Sequence, residues 1–229
     1  LSTVTDNVRL VKERIAEAAI RSGRKPESVV LVAAAKGIEA ERVEEAIACG
    51  VSIVGENRVQ EALTKFSKVS LKADWHMIGH LQTNKVKKAL DIFSTIQSVD
   101  SLRLAREISR RAEQLGKETE VLIEVNTSGE PTKFGVEPEN LIEVLGEAMS
   151  IPHLKIVGLM TIGVFSSDPE RVQPCFRVLR ELKMRCIDQF KETARMKLLS
   201  MGMSNDFETA IEEGSNMVRI GTAIFGPRT

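Results

Sequence analysis

Lys36 directly follows an unbroken run of seven apolar residues, Val29 to Ala35. A lysine at the edge of a desolvated core is disfavoured as an ammonium ion, and its free amine can then attack a carbonyl to form a Schiff base. The alternative is a lysine that snorkels from a strand end to water. Near the other end of the chain, Ser204, Gly221 and Thr222 offer a hydroxyl, a closely approachable backbone and a second hydroxyl. Ser204 is placed to cap the helix containing Phe207, Ala210 and Ile211, and helix amino ends bind phosphate well. A plain cap plus a structural glycine is the competing reading. Taken together, an amine and a phosphate cradle suit an aldehyde that carries a phosphate.

Four other residues belong to the same search. Arg219 lies two residues before the cradle and, pointing inward, could donate to a ring nitrogen. Arginine stays protonated, so such a nitrogen would remain unprotonated and the ring would be a weaker electron sink. Arg219 could instead pair with Glu56 or Glu212. Asn57 could bond a phenolic oxygen of the ring or cap a helix starting at Arg58. Met160 could pack on a flat ring or simply fill the core. His80 and Asn84 could line the same mouth, although a lone histidine is more often structural.

These residues need a frame that gathers them. Short apolar runs alternate with amphipathic stretches, the pattern of βα units and a parallel sheet. Eight strands are predicted: Val29–Ala35, Ser52–Gly55, Trp75–Gly79, Ile92–Val99, Glu120–Asn126, Lys155–Met160, Leu198–Met201 and Met217–Ile220. Each candidate residue falls at or just after the carboxyl end of one of them. A helix over 4–21 precedes the first strand, with Val8, Val11, Ile15 and Ala18 on one face. Further helices are expected over 101–116, after Pro138, and from Pro169 to Glu192 with Pro174 early in its length. The fold expected is α/β, a (β/α)8 TIM barrel with an extra amino-terminal helix, built as a single domain over 1–229. An open doubly wound sheet is the other candidate. Its usual Gly-rich turn is missing, because Ala33-Ala34-Ala35-Lys36-Gly37 follows the first strand.

Composition narrows the function classes. The 32 basic and 32 acidic residues cancel, which argues against a nucleic-acid partner held by bulk charge. Cys49, Cys175 and Cys186 have neither disulfide nor metal-ligand spacing, so reduced thiols, a cytoplasmic setting and no metal are expected. No apolar run is long enough for a membrane span, and no signal peptide is evident at the amino end.

Five stretches carry a closer resemblance: Gly55-Glu56-Asn57-Arg58-Val59-Gln60-Glu61, the run from Trp75 to Lys85, Gly158-Leu159-Met160-Thr161, the run from Leu199 to Ser204, and the run from Val218 to Gly226. Together they resemble the pyridoxal phosphate homeostasis proteins, relatives of the alanine racemase amino-terminal domain. The resemblance implies pyridoxal 5′-phosphate (PLP) held covalently on Lys36, with phosphate near Ser204, Gly221 and Thr222. It also implies Arg219 at the pyridine nitrogen and Asn57 beside the ring. The chain departs from the family pattern around the lysine itself. Where the family has Ser before it and Thr or a Lys-Pro element after it, this sequence reads Ala35-Lys36-Gly37-Ile38.

Racemases are the family's enzymatic relatives, and their second proton-transfer group is a tyrosine from a carboxyl-terminal β-domain. This sequence contains no tyrosine and ends at Thr229, just past the last predicted strand. Lacking a second base forfeits roughly 100- to 10,000-fold in rate, which argues against efficient racemisation. The expectation is therefore a monomeric PLP-binding protein with no catalytic residues of its own, which supplies or sequesters PLP and has PLP-dependent apo-enzymes as its possible partners. A PLP-dependent racemase or related enzyme is the alternative. A barrel using Lys36 as a class-I aldolase does, without PLP, is the third.

Overall fold

The structure is a computed structural model in which residues 3–190 and 196–227 are described. Eight parallel strands close into a barrel in chain order. They are β1 (Val30–Ala34), β2 (Ile53–Glu56), β3 (Asp74–Met77), β4 (Thr95–Val99), β5 (Thr119–Glu124), β6 (Leu154–Met160), β7 (Leu198–Ser200) and β8 (Met217–Ile220). Closure comes from β8 pairing with β1, with Val30 opposite Met217 and Ala33 opposite Ile220. The open doubly wound alternative is thereby excluded, and all eight predicted strands are present with ends moved by at most three residues.

Helices cover the barrel. Among the described residues they are α1 (Val4–Arg21), α2 (Ala40–Ala48), α3 (Val59–Phe66), α4 (Val86–Ala89), α5 (Leu102–Gln114), α6 (Leu141–Met149), α7 (Pro169–Gln189), α8 (Phe207–Glu212) and α9 (Thr222–Phe225). The extra helix α1 buries Val4, Val8, Val11, Ile15, Ala18 and Ala19, the stripe its period predicts. It packs across α2, α8 and α9, where the first and last βα units meet. In α7, Pro174 is indeed early, while positions 191 and 192 of the predicted helix lie outside the described residues. Pro138 opens a short 3-10 turn, Pro138–Asn140, that leads into α6, one turn earlier than an α-helical start would need.

Strand β6 shows how a glycine sets the packing. A Cβ at Gly158 would lie 2.1 Å from the Leu198 carbonyl oxygen, so only glycine lets β7 approach β6 there.

Candidate functional site

A cavity of about 450 Å³ opens among the loops at the carboxyl ends of the strands. Six of the seven predicted binding residues line it: Lys36, Asn57, Ser204, Arg219, Gly221 and Thr222. Their positions are 36 to 222, so only barrel closure brings them together.

Lys36 lies at a turn corner just beyond β1, half-buried, with its side chain on the cavity wall. The Ile38 amide donates to the Ala35 carbonyl at 3.0 Å, and Gly37 has φ +71°. That is a tight turn with a left-handed third residue, which explains the glycine after the lysine where the family pattern has other residues. The peptide groups on both sides of Lys36 are also held. Lys65 Nζ donates to the Ala35 carbonyl at 2.6 Å, and the Gly37 amide donates to Glu61 Oε1 at 2.5 Å.

Ser204 does not cap α8, contrary to the sequence expectation. Asp206 precedes α8, and its carboxylate accepts from the Met203 amide at 2.6 Å. Ser204 Oγ instead accepts from the Gly221 and Ala223 amides at 3.3 and 3.2 Å. It thereby ties the loop after β7 to the first turn of α9, so Ser204, Gly221 and Thr222 converge. The backbone there has little spare room, since a Cβ at Gly221 would sit 3.1 Å from the Ala34 carbonyl.

Arg219 is 4% exposed and still reaches the cavity. It pairs with neither Glu56 nor Glu212; those bond Lys65 and Arg21 instead. Its guanidinium donates to Ser200 Oγ at 2.7 Å and to the Thr161 carbonyl at 2.8 Å. A relay continues inward: Ser200 Oγ donates to Gln97 Oε1 at 2.6 Å, and Gln97 Nε2 lies 2.8 Å from His76 Nδ1. Burial brings the guanidinium down to about 10, opposed by the charges of Glu124 and Asp206. Burial also lowers His76 to about 4, so it stays neutral and accepts from Gln97. Glu124, buried at the end of β5, is pushed up to about 7 by desolvation and by Asp100, with Arg219 acting against them.

Asn57 lines the cavity, while Arg58 takes the capping position of α3 without a side-chain cap bond. Met160 is fully buried with Leu122, Val157 and Leu198 and is not on the cavity wall, so the core reading fits it. His80 is also elsewhere. Its Nδ1 lies 2.9 Å from Asp100, and its ring stacks on Phe134 with centroids 3.7 Å apart. Sequence reasoning overlooked the Phe165 and Ser166 segment, which lines the cavity with Phe165 82% exposed, and it overlooked Asp206. It also missed Gln97 and Ser200; Gln97 stands among Thr95, Ile96 and Ser98, and only the structure shows that the whole strand is buried.

No helix among the described residues is long and apolar enough to cross a membrane, and no cluster of metal-ligating side chains occurs among them. A closed barrel with an amine, a guanidinium and a tight backbone cradle at one mouth defines the class of the alanine racemase, N-terminal domain, whose family description matches residues 1–229. The chain is 47% identical over 221 residues to the pyridoxal phosphate homeostasis protein of Aquifex aeolicus, covering 95% of each. It also superposes on a protein of unknown function from Bifidobacterium adolescentis (39% identity, TM-score 0.92, covering 97% of this chain and 94% of that one). PipY of Synechococcus elongatus PCC7942, solved with PLP bound, matches at 35% identity and TM-score 0.82, covering 94% of this chain and all of PipY. This chain belongs to the pyridoxal phosphate homeostasis protein family.

Proposed function

We propose that this protein binds PLP at the barrel mouth, holds it covalently on Lys36, and serves intracellular PLP homeostasis by supplying or sequestering the cofactor. The observation that carries this reading is the convergence of the Lys36 amine, the Arg219 guanidinium and the Ser204–Gly221–Thr222 backbone cradle on one cavity. The residues suit the group. The cavity admits a small ring, and its wall offers an amine for the aldehyde, donors for a phosphate and a fixed cation for a ring nitrogen.

Lys36 would hold the cofactor's aldehyde carbon through its amine, and Ser204, Gly221 and Thr222 would hold the phosphate. Asn57 would bond the ring, and Arg219 would serve its nitrogen as a permanent donor. When bound, PLP supplies an electron sink, and a protonated arginine at that nitrogen limits the sink. The chain acts as a holder in the cytoplasm rather than as an enzyme, as a single domain over 1–229 and as a monomer. Its recipients are PLP-dependent apo-enzymes. The naming of its relatives as pyridoxal phosphate homeostasis proteins supports the holder over the enzyme. Racemisation would need a second base, and the sequence supplies no tyrosine for that role.

The test is direct. Added PLP is expected to turn the protein yellow, and borohydride to fix one cofactor on Lys36, read by peptide mass spectrometry. Lys36→Ala is expected to abolish trapping. A colourless wild-type protein with no PLP uptake would overturn the reading, and turnover of an amino acid abolished by Lys36→Ala would replace it with an enzymatic one.

A further inference from the structure

Beside Lys36, and outside the cavity lining, three charged residues form a compact group of which two are buried. Lys65 on α3 is 6% exposed and Glu56 at the end of β2 is fully buried. Lys65 Nζ lies 2.5 Å from Glu56 Oε1 and 3.2 Å from Glu61 Oε1, one turn earlier on α3. An ion pair in such a place is costly to desolvate, and packed apolar side chains would stabilise a fold as well or better. The cost is visible in Glu56 Oε2, which is buried without a hydrogen-bond partner.

What this group holds is specific. Besides each other, its members bond the carbonyl before Lys36 and the amide after it. The Ala35 carbonyl takes bonds from both Lys65 and the Ile38 amide, and the Gly37 amide gives its bond to Glu61. A lysine side chain has four rotatable bonds, so its reach is reproducible only if its Cα is fixed. Supporting shells around reactive groups act in this way.

We infer that Glu61 and Lys65, with Glu56 as the counter-ion, are positioning residues that clamp the peptide groups flanking Lys36 and so aim its amine into the cavity. The inference rests on the reading of Lys36 as the residue that holds PLP. Glu61 is the more informative handle, because its side chain is 27% exposed and its replacement leaves the buried Lys65–Glu56 pair intact. Glu61→Gln keeps an oxygen that accepts from the Gly37 amide, whereas Glu61→Met does not.

The experiment loads wild type, Glu61→Gln, Glu61→Met and Lys36→Ala with PLP. It measures the dissociation constant, the pH midpoint of the bound-cofactor absorbance, and borohydride trapping at Lys36, with circular dichroism as the folding control. Glu61→Met is expected to weaken PLP binding about tenfold, within the usual cost of losing a supporting contact, and to move the absorbance midpoint. Glu61→Gln is expected to bind and titrate like wild type. If wild type loads at Lys36 and folded Glu61→Met matches it in affinity and midpoint, the clamp is overturned while the PLP reading stands. If wild type shows no uptake, or if Lys36→Ala retains the same absorbance, the PLP reading falls and the clamp with it.

Discussion

Two polar networks back two residues of the cavity wall, Lys36 and Arg219, and they are built from opposite materials. Beside Lys36 the network is ionic: Lys65, Glu56 and Glu61, at the junction of β1, β2 and α3. Behind Arg219 it is mostly neutral: Ser200, Gln97 and His76, in the barrel interior. A difference in task accounts for this. The ionic group grips backbone, so it needs strong donors and acceptors aimed at a carbonyl and an amide. The neutral relay orients a side chain that already carries a charge and that also feels the charges of Glu124 and Asp206. Buried polar atoms need partners; the neutral relay bonds each of its side chains, whereas the ionic group leaves Glu56 Oε2 without one.

The largest expected effect comes from breaking the ionic network from within. Lys65→Met removes the counter-ion of a fully buried carboxylate, and removing one partner of a buried pair costs about 3–5 kcal/mol. Gln97→Leu leaves Ser200 and His76 short of a partner, for which about 1–3 kcal/mol is expected. Urea unfolding of both variants at pH 7.5 checks the order. Equal losses would mean that the two networks do not differ in the way their composition implies.

The next effect is a difference of sign with pH. Glu56 is raised from 4.5 to about 6, chiefly by burial, so the folded protein takes up its proton before the unfolded chain does. Its ionised form therefore counts against folding above pH 6, and acidification from pH 6 toward 4.5 adds stability. His76 is lowered from 6.5 to about 4, also by burial. The unfolded chain takes up that proton first, so the stability of a neutral His76 is present above pH 6.5 and is lost as the pH falls toward 4. His76→Gln should thus lose less stability than wild type between pH 6.5 and 4.5, by about 2–3 kcal/mol. Glu56→Gln should gain less than wild type over the acid range, by about 2 kcal/mol. Glu124, raised to about 7, shares the sign of Glu56 and is common to both variants. Urea midpoints at three pH values suffice, and a shift of the same sign in both variants would refute the contrast.

The sequence made one of these supports more readable than the other. Arg219 announced itself as a charged residue in a short apolar strand, whereas Gln97 lies among Thr95, Ile96 and Ser98 and does not stand out. The strands were legible because apolar runs bounded by turns leave little choice, and the cavity-lining candidates because each lies near a strand's carboxyl end. Lys65 looked like any charge on an amphipathic helix; its burial depends on how α3 docks against β2, which no local pattern encodes. Ser204 was misread for a related reason. A serine just before a helix satisfies the local capping rule, but its partners, the amides of Gly221 and Ala223, arrive from a later βα unit. Met160 stayed ambiguous because core and ring-packing methionines have the same sequence signature.

The smallest expected effect isolates burial as the cause of the contrast. Arg21 and Glu212 form an ion pair at 3.0 Å, tighter than the 3.2 Å between Lys65 and Glu61. The two side chains of that pair are, however, 51% and 46% exposed. Water and salt screen them, and holding both chains still costs entropy, so Arg21→Ala should cost no more than about 1 kcal/mol. The same variant in 1 M salt should be almost indistinguishable from wild type, whereas Lys65→Met should keep nearly its whole deficit. If the exposed pair proved as costly to break as the buried one, ionic chemistry alone would account for the Lys65–Glu56–Glu61 network, and its burial would lose its physical significance.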